Sequence, residues 1–429
     1  MYIQLREGLS SGFRLQARAP RRLHWPAGVG MNVLFLGLTS LFTDISSEMV
    51  STVLPLYVVF HLGFTPLQFG ILDGLYQGVA ALVRVISGIV ADRWRRHKEV
   101  AAFGYGLSAV CRLGLLAAGG TWSGLVGIVL LDRVGKGVRT APRDALISLS
   151  TDPAHLGLAF GVHRALDTAG ALLGPLLAFG LLMLVPDGFD AVFVASLCAA
   201  LVGFGILTLF VENRPSLHTM SEARGATCRS TVELLNVPRF RVLVVAGTAL
   251  GVATMSDGFL YLGLQRRVGF DEGLFPLLFV MTALVYFILA VPVGRLADRV
   301  GRGRVFLGGY ALLPLVYLTL LLPTVGYVEL FACLLLLGAY YAATDGVLMA
   351  LASAVLPPHL RTSGLALLTT GTGVARLLAS VLLGALWSWW TLETAVLIFV
   401  VGIVVAVALA GIAFIRLERI VDHEHATIS

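Results

Sequence analysis

Carboxylates stand within long apolar segments of this chain, where charged side chains are uncommon. Asp44 and Glu48 lie in the first such segment, and Asp257 and Asp345 lie in later ones. Counted from Val33 at about 1.5 Å per residue, Asp44 is about 16 Å along a helix, near the middle of a hydrocarbon layer about 30 Å thick. An acid held there can bind a proton on one side of a membrane and release it on the other. We therefore expect these carboxylates to handle protons or substrate, with a structural clamp to another helix as the alternative.

Arginines and a histidine in the apolar segments are candidate partners of these acids. Arg133 follows Asp132, so it can be a movable counter-charge in a cavity or the fixed ion-pair partner of an acid. Arg164 and Asp167 are three residues apart and can pair on one helix. His163 can relay protons near neutral pH, or it can simply be hydrogen bonded.

Aromatic and basic side chains are candidates for substrate contact. Tyr340 and Tyr341 stand one turn before Asp345, and they can contact substrate or serve only as packing residues. Arg112 and Arg376 lie deep within apolar segments and would suit an organic anion. An acidic cavity with aromatic rings would instead suit a proton-exchanging exporter.

The composition requires a membrane. Hydrophobic residues make up 57% of the 429 residues and charged residues only 13%, against roughly 25% in soluble domains. Runs of about 20 apolar residues predict transmembrane helices. Twelve such spans are predicted, at 32–60, 67–91, 99–119, 123–142, 156–184, 189–211, 240–264, 273–297, 303–323, 327–356, 362–386 and 392–415.

The spans form two halves joined by a polar segment. We predict a basic tail at 1–31, six-helix bundles at 32–211 and 240–416, a linker at 212–239 and a second tail at 417–429. With the N-terminus in the cytoplasm, 21 Lys and Arg fall in cytoplasmic segments and two, Arg266 and Arg267, fall outside. The positive-inside rule therefore predicts that both termini are cytoplasmic, in a multi-pass protein of the cell (inner) membrane.

One charged phrase occurs twice in the chain. Each copy carries a glycine four residues before an aspartate, then an arginine and a basic cluster, and the two copies are 206 residues apart. Such a repeat predicts a duplicated bundle, with aspartates that can pair with arginines at helix ends and form a gate on the cytoplasmic side. The alternative is a plain topogenic charge cluster. The residues are Gly88, Asp92, Arg93 and Arg96 in the first copy and Gly294, Asp298, Arg299 and Arg302 in the second.

These motifs resemble those of the major facilitator superfamily over essentially the whole chain. The repeated phrase is similar to that superfamily's motif between spans 2 and 3, and span 4 carries an arginine four residues before a glycine, Arg133 and Gly137. Span 5 is similar to the glycine–proline motif of the antiporter branch, which includes drug efflux pumps, although Ala178-Phe179 replaces the expected glycine pair. The matching residues of span 5 are Gly161, Gly170, Gly174 and Pro175.

The resemblance implies an all-α fold of 12 transmembrane helices in two pseudo-symmetric six-helix bundles. It also implies that spans 1, 4, 7 and 10 line a central cavity, which would join Asp132 and Arg133 to the four carboxylates. The glycines of span 5 would let helices approach closely, and Pro175 would permit a bend.

The implied function is secondary active transport, with proton-coupled export of a small organic solute or drug by alternating access as the leading hypothesis. The alternatives are uptake of an organic anion and, further from the motifs, a lipid flippase. We expect a monomer in the bilayer whose partners are its solute and protons. The run at 130–137 lacks the glycine and Ser/Thr of a phosphate loop, so no ATP binding is expected. No cysteine, metal or nucleophile–base spacing indicates a disulfide, a cofactor or an enzyme, and the positive charge is explained by topology rather than by nucleic acid.

Overall fold

The computed structural model describes residues 30–94, 96–118, 120–152, 155–213, 233–357 and 360–426, with side chains described except at 85–86, 88–94, 361–362 and 417–426. Within these ranges the chain forms long helices and no strand. The first half contains α1 Met31–Leu56, α2 Pro66–Trp94, α3 His97–Ala117, α4 Trp122–Leu149, α5 Leu156–Leu184 and α6 Phe189–Phe210. The second half contains α7 Pro238–Val252, α8 Asp257–Val268, α9 Phe275–Val300, α10 Arg302–Tyr310, α11 Leu313–Thr319, α12 Tyr327–Val355, α13 Arg361–Trp389 and α14 Leu392–Ala426.

These helices give the twelve predicted spans, because α7 and α8 together form span 7 and α10 and α11 together form span 9. Nine spans in the described ranges are long and apolar enough to cross a membrane by themselves. Large apolar side chains also cover the outer surface: Leu184, Leu209 and Val328 are each about four-fifths exposed. Exposed apolar surface of this extent fits contact with lipid rather than with water.

Span 7 is interrupted where a continuous helix was predicted. At the break, the backbone N–H of Met255 donates to the Tyr317 hydroxyl at 2.8 Å, so the interrupted backbone keeps a partner. Ser256 then caps α8 and accepts a hydrogen bond from the N–H of Phe259 at 3.5 Å. The cap makes Asp257 the first residue of a new helix.

Span 9 is interrupted as well, and span 4 is longer than predicted. The break in span 9 falls at residues 311–312, and α11 begins with Pro314 in its first turn, where proline is tolerated. Helix α4 continues to Leu149, seven residues beyond the predicted end. Most of the predicted linker lies outside the described residues, so the domain boundaries stay predictions.

The two halves meet through α2 against α13 and through α5 against α9. We call the face at which α1 ends and α2 begins the apical face, and the opposite face the basal face. Near the apical face α2 and α13 nearly touch: a Cβ built on Gly70 would lie 2.5 Å from the Ser380 carbonyl oxygen and 3.2 Å from Gly384 Cα. One on Gly74 would lie 2.9 Å from the Leu377 carbonyl oxygen. These contacts form the apical seam, and they require residues without side chains.

The described residues near the basal face have open space beside them. Among the described atoms, none lies within 4 Å of a Cβ built on Gly157 or Gly161 of α5, or on Gly294 of α9. The side chain of Arg164 on α5 is 78% exposed. We call this open space the basal gap, in contrast to the tight contacts of the apical seam.

Candidate functional site

A central cavity of about 310 Å³ lies between the two halves. Its acidic lining residues are Glu48 from α1, Asp257 from α8 and Asp345 from α12. Aromatic rings, including Phe279 and Tyr341, form much of the remaining wall. No Lys, Arg or His is among the lining residues identified in the described chain. This combination suits a cationic or polar aromatic solute better than an anion.

Asp257 is positioned by the break in span 7. As the first residue of α8 it lies at the positive end of a helix dipole, which favours an acidic side chain there. The Tyr341 hydroxyl donates a hydrogen bond to Asp257 Oδ1 at 2.7 Å and links α12 to α8 across the cavity wall. Of the two tyrosines considered for substrate contact, Tyr341 thus lines the cavity.

Tyr340 lies behind this wall. It is 1% exposed, and its ring packs 5.2 Å from that of Tyr310. Arg376 on α13 is half-buried and lies within electrostatic range of Asp257 and Asp345, two acids of the cavity lining. A direct substrate contact from Tyr340 or Arg376 stays a prediction.

A second cavity of about 450 Å³ opens toward the basal face, and we call it the vestibule. Its lining residues come only from α1, α2, α4 and α5 of the first half. Asp44 lines it one helical turn from Glu48 of the central cavity, so the two spaces adjoin along α1. The charged and titratable lining residues are Asp44, Arg84, Lys136, Arg139, Arg143, Asp144, His163, Arg164 and Asp167.

Asp44 and Asp167 form a carboxyl pair in the vestibule. Both carboxyl groups line this cavity and interact with each other electrostatically. Asp167 also lies 3.2 Å from Arg164 and 3.7 Å from Arg143. No described cation lies within ion-pair distance of Asp44, but Lys136 and Arg139 lie within its electrostatic range.

His163 joins the same network through Ser40. The Ser40 hydroxyl lies 2.9 Å from His163 Nε2 and accepts a hydrogen bond from Arg143 Nη1 at 3.2 Å. His163 is buried and hydrogen bonded, which was one of the two alternatives considered for it. Its role as a relay stays a prediction.

Asp132 belongs to a buried ion cluster rather than to either cavity. It lies 3.1 Å from Arg112 and pairs with Arg133, and all three side chains are no more than 5% exposed. Arg112 also donates to the Ser46 hydroxyl at 3.2 Å, and the Arg133 guanidinium stacks 3.7 Å from the Tyr76 ring centroid. We expected Asp132 and Arg133 to line the central cavity with the other acids, but neither is among its lining residues. Asp132 is instead paired with two arginines inside the first half, as in the fixed ion-pair alternative.

The glycines of span 5 divide into two groups. A Cβ on Gly174 would lie 2.8 Å from Glu48 Cβ, and Gly170 lies directly against the backbone of Leu41, so both hold α5 close to α1. Gly161 faces the open basal gap instead. Helix α5 is continuous through Pro175, which lines the central cavity.

The repeated phrase lies at the basal ends of α2 and α9. Asp298 accepts hydrogen bonds from Arg302 at 3.0 and 2.8 Å, so this pair lies within one half and does not cross to the other. A gate between the halves stays a prediction for these residues. Arg96 and Arg299 are exposed. Gly88, Asp92 and Arg93 lie in α2, and the side chains of Asp92 and Arg93 are not among those that the structure describes.

Two groups of residues were not predicted from the sequence. Asp73 of α2 is hydrogen bonded to the Ser380 hydroxyl of α13 at 2.5 Å, so it joins the halves at the apical seam. Its signal was an acid within span 2, two turns from the start of that span. Lys136, Arg139 and Arg143 share one face of α4, and their spacing of three and four residues was the available signal.

No group of three or more His, Cys, Asp and Glu residues in the described part of the chain could hold a metal ion. The central cavity is lined from both half-molecules, and this position is typical of sites that are exposed alternately to two faces.

Comparisons with known proteins agree with this architecture. The sequence matches the Major Facilitator Superfamily over residues 36–283 and 243–427. It is 33% identical over 368 residues to an uncharacterised MFS-type transporter of Methanocaldococcus jannaschii, covering 83% of this chain and 88% of that protein. The fold is similar to that of the nucleoside transporter NupG, with a TM-score of 0.74 at 17% identity over 89% of this chain and 100% of that one. It is also similar to a peptide transporter, POT, with a TM-score of 0.73 at 15% identity over 91% and 95% of the two chains.

Proposed function

Because the chain belongs to the Major Facilitator Superfamily and is a multi-pass membrane transporter, we propose that it exports a small organic cation in exchange for protons by alternating access. The observation that carries this proposal is the central cavity. Glu48, Asp257 and Asp345 face one space between the halves, together with aromatic rings and no basic lining residue among those described. Three acids offer a positive charge a favourable site, and aromatic faces add a cation–π contribution of about 0.5–2 kcal/mol.

The open space at the basal face gives the solute access to the cavity. The basal face carries the basic segments that the positive-inside rule assigns to the cytoplasm. The described contacts between the halves are tight at the apical seam, and the basal glycines have open space beside them. We interpret this conformation as inward-facing, so that solute can enter from the cytoplasm, and the export direction is part of the proposal.

Proton coupling is assigned to the Asp44–Asp167 pair. A proton taken up by either of these carboxyl groups, which both line the vestibule, can leave toward the basal face. Asp44 is one turn from Glu48 on α1, so loss of its proton adds a negative charge next to the central cavity. That charge favours solute binding and links the two events.

Transport in proteoliposomes tests the proposal. Ethidium serves as the aromatic cation and 5-carboxyfluorescein as the anionic probe, each measured under an imposed pH gradient. We expect the pH gradient to drive ethidium against its concentration gradient, and Glu48→Gln to reduce this flux at least 10-fold. Asp44→Asn should abolish the response to the pH gradient but retain ethidium exchange at equal pH.

The control is Asp190→Asn, which removes an exposed acid at the start of α6, outside both cavities. It should behave like the wild-type protein. Gradient-driven movement of carboxyfluorescein without ethidium would instead support organic anion uptake. An unchanged pH response in Asp44→Asn would remove the coupling assignment.

A further inference from the structure

The vestibule contains more positive charge than its acids neutralise. Asp144 lies 3.0 Å from Arg143 and 3.4 Å from Arg84, so this acid is already shared between two arginines. Asp167 is likewise engaged by Arg143 and Arg164. With the third acid, Asp44, the lining has three carboxylates against five Lys and Arg side chains.

Two cations of α4 form no close ion pair. Lys136 and Arg139 lie within electrostatic range of Asp44, but the ion pairs of 4 Å or less that the described vestibule residues form are made by Arg84, Arg143 and Arg164 instead. Arg139 is 3% exposed, and its Nη1 atom has no hydrogen-bond partner among the described residues. Its guanidinium stacks 4.7 Å from the ring centroid of Tyr105, which fixes its position. Burial of such charges costs several kcal/mol each unless a counter-charge is supplied.

The spacing of the basic residues matches one small ligand. Lys136 and Arg139 are three residues apart and Arg143 follows after four, so all three lie on one face of α4 toward the vestibule. An arginine offers a planar fork that fits two oxygens of a phosphate or carboxylate, and a lysine adds a compact charge. The volume of about 450 Å³ lies within the range of small-molecule sites.

We propose that Lys136, Arg139 and Arg143 form an oxyanion site in the vestibule that binds a small phosphate- or carboxylate-bearing molecule. The site is separate from the acidic central cavity and goes beyond the proposed cation export. It also gives a role to the basic run of α4, which is a helix and not a phosphate loop. The oxyanion either is a free ion from the basal side or is the acidic group of a transported solute.

Isothermal titration of the purified full-length protein in detergent tests the site, with inorganic phosphate and acetate as probes. We expect saturable binding of at least one of them, weakened at least 10-fold by Lys136→Gln and by Arg139→Gln. Arg139→Lys keeps the charge but loses the fork, so it should bind with intermediate affinity. Arg267→Gln removes an arginine that pairs with Glu393 at the apical face, and it should bind like the wild-type protein.

A second measurement needs no variant. Phosphate or acetate should slow the acylation of Lys136 by an amine-reactive reagent, as followed by mass spectrometry of the wild-type protein. Uptake of labelled phosphate or acetate into proteoliposomes would identify the oxyanion as part of the cargo, whereas binding without uptake would identify it as a free ion at the vestibule. No saturable binding and no protection of Lys136 would overturn the proposal, whatever the result with ethidium.

Discussion

The apical seam predicts that a single methyl group can shift the conformational equilibrium. A Cβ added at Gly70 would lie 2.5 Å from the Ser380 carbonyl oxygen, whereas ordinary contacts begin at 3.4 Å. Gly70→Ala therefore requires α2 and α13 to separate by several tenths of an ångström at this point. The atom that it meets belongs to the backbone of α13, so a rotamer change cannot relieve the contact.

The energetic effect follows from where this contact exists. Overpacking of a tight contact costs about 1–3 kcal/mol. Because the contact is present only when the apical face is closed, the cost falls on that state alone and favours the apically open state by about 5- to 150-fold. The shift would be measurable if the ratio of the apically closed to the apically open population in the wild-type protein is no more than about 150 to 1.

Distances between spin labels provide the assay. Labels on Gly157→Cys in α5 and Gly303→Cys in α10 report on the basal gap, since no described atom lies within 4 Å of a Cβ at either position. Cys198 is exposed and would be replaced by serine. We expect Gly70→Ala to increase the population with short basal distances.

The matched control is Gly180→Ala in α5, where no described atom lies within 4 Å of the new Cβ. It should leave the distance distribution unchanged. If folded Gly70→Ala protein gave the same distribution as Gly180→Ala, the contact between α2 and α13 would not control access, and the reasoning would be refuted.

Two further predictions concern buried polar contacts. Asp132→Asn leaves Arg112 and Arg133 without their acidic partner, so we expect the protein to lose about 3–5 kcal/mol of stability. Thermal unfolding of the detergent-solubilised protein measures this loss. A loss below about 1 kcal/mol would contradict the buried cluster. Tyr341→Phe removes the 2.7 Å hydrogen bond that positions Asp257, which costs about 1–3 kcal/mol. We expect kcat/KM for ethidium transport to fall about 5- to 150-fold, and unchanged transport kinetics would place Asp257 outside the solute path.

Much of the fold could be predicted because a membrane leaves few choices. Backbone groups must be satisfied within each span, so long apolar runs can only be helices. Most of their ends were predicted within about four residues, but α4 and α14 continue further than predicted. The breaks in spans 7 and 9 were missed because they depend on local caps. Ser256-Asp257-Gly258 is a helix-start signal within an apolar run, and a search for caps inside spans would have found it.

The candidate site was only partly predictable. Asp44, Glu48, Asp257 and Asp345 were recognised because acids are costly in apolar segments, and all four line a cavity. The same signal was present at Asp132, which instead lies in a buried ion cluster. The sequence pattern shows that a charge in an apolar segment is costly, but it does not show which residue pairs with that charge.

The sequence by itself determined the membrane class, the two halves and which residues carry unusual charges, since these follow from hydropathy, charge counts and repeats. Only the tertiary structure decided how those charges are distributed: acids and aromatic rings between the halves, surplus cations in the vestibule, and Asp73 at the apical seam. The physical reason is that helix rotation and helix neighbours set which face of each span is enclosed. Residues from distant spans, such as Asp73 and Ser380, become partners through packing that no local pattern encodes.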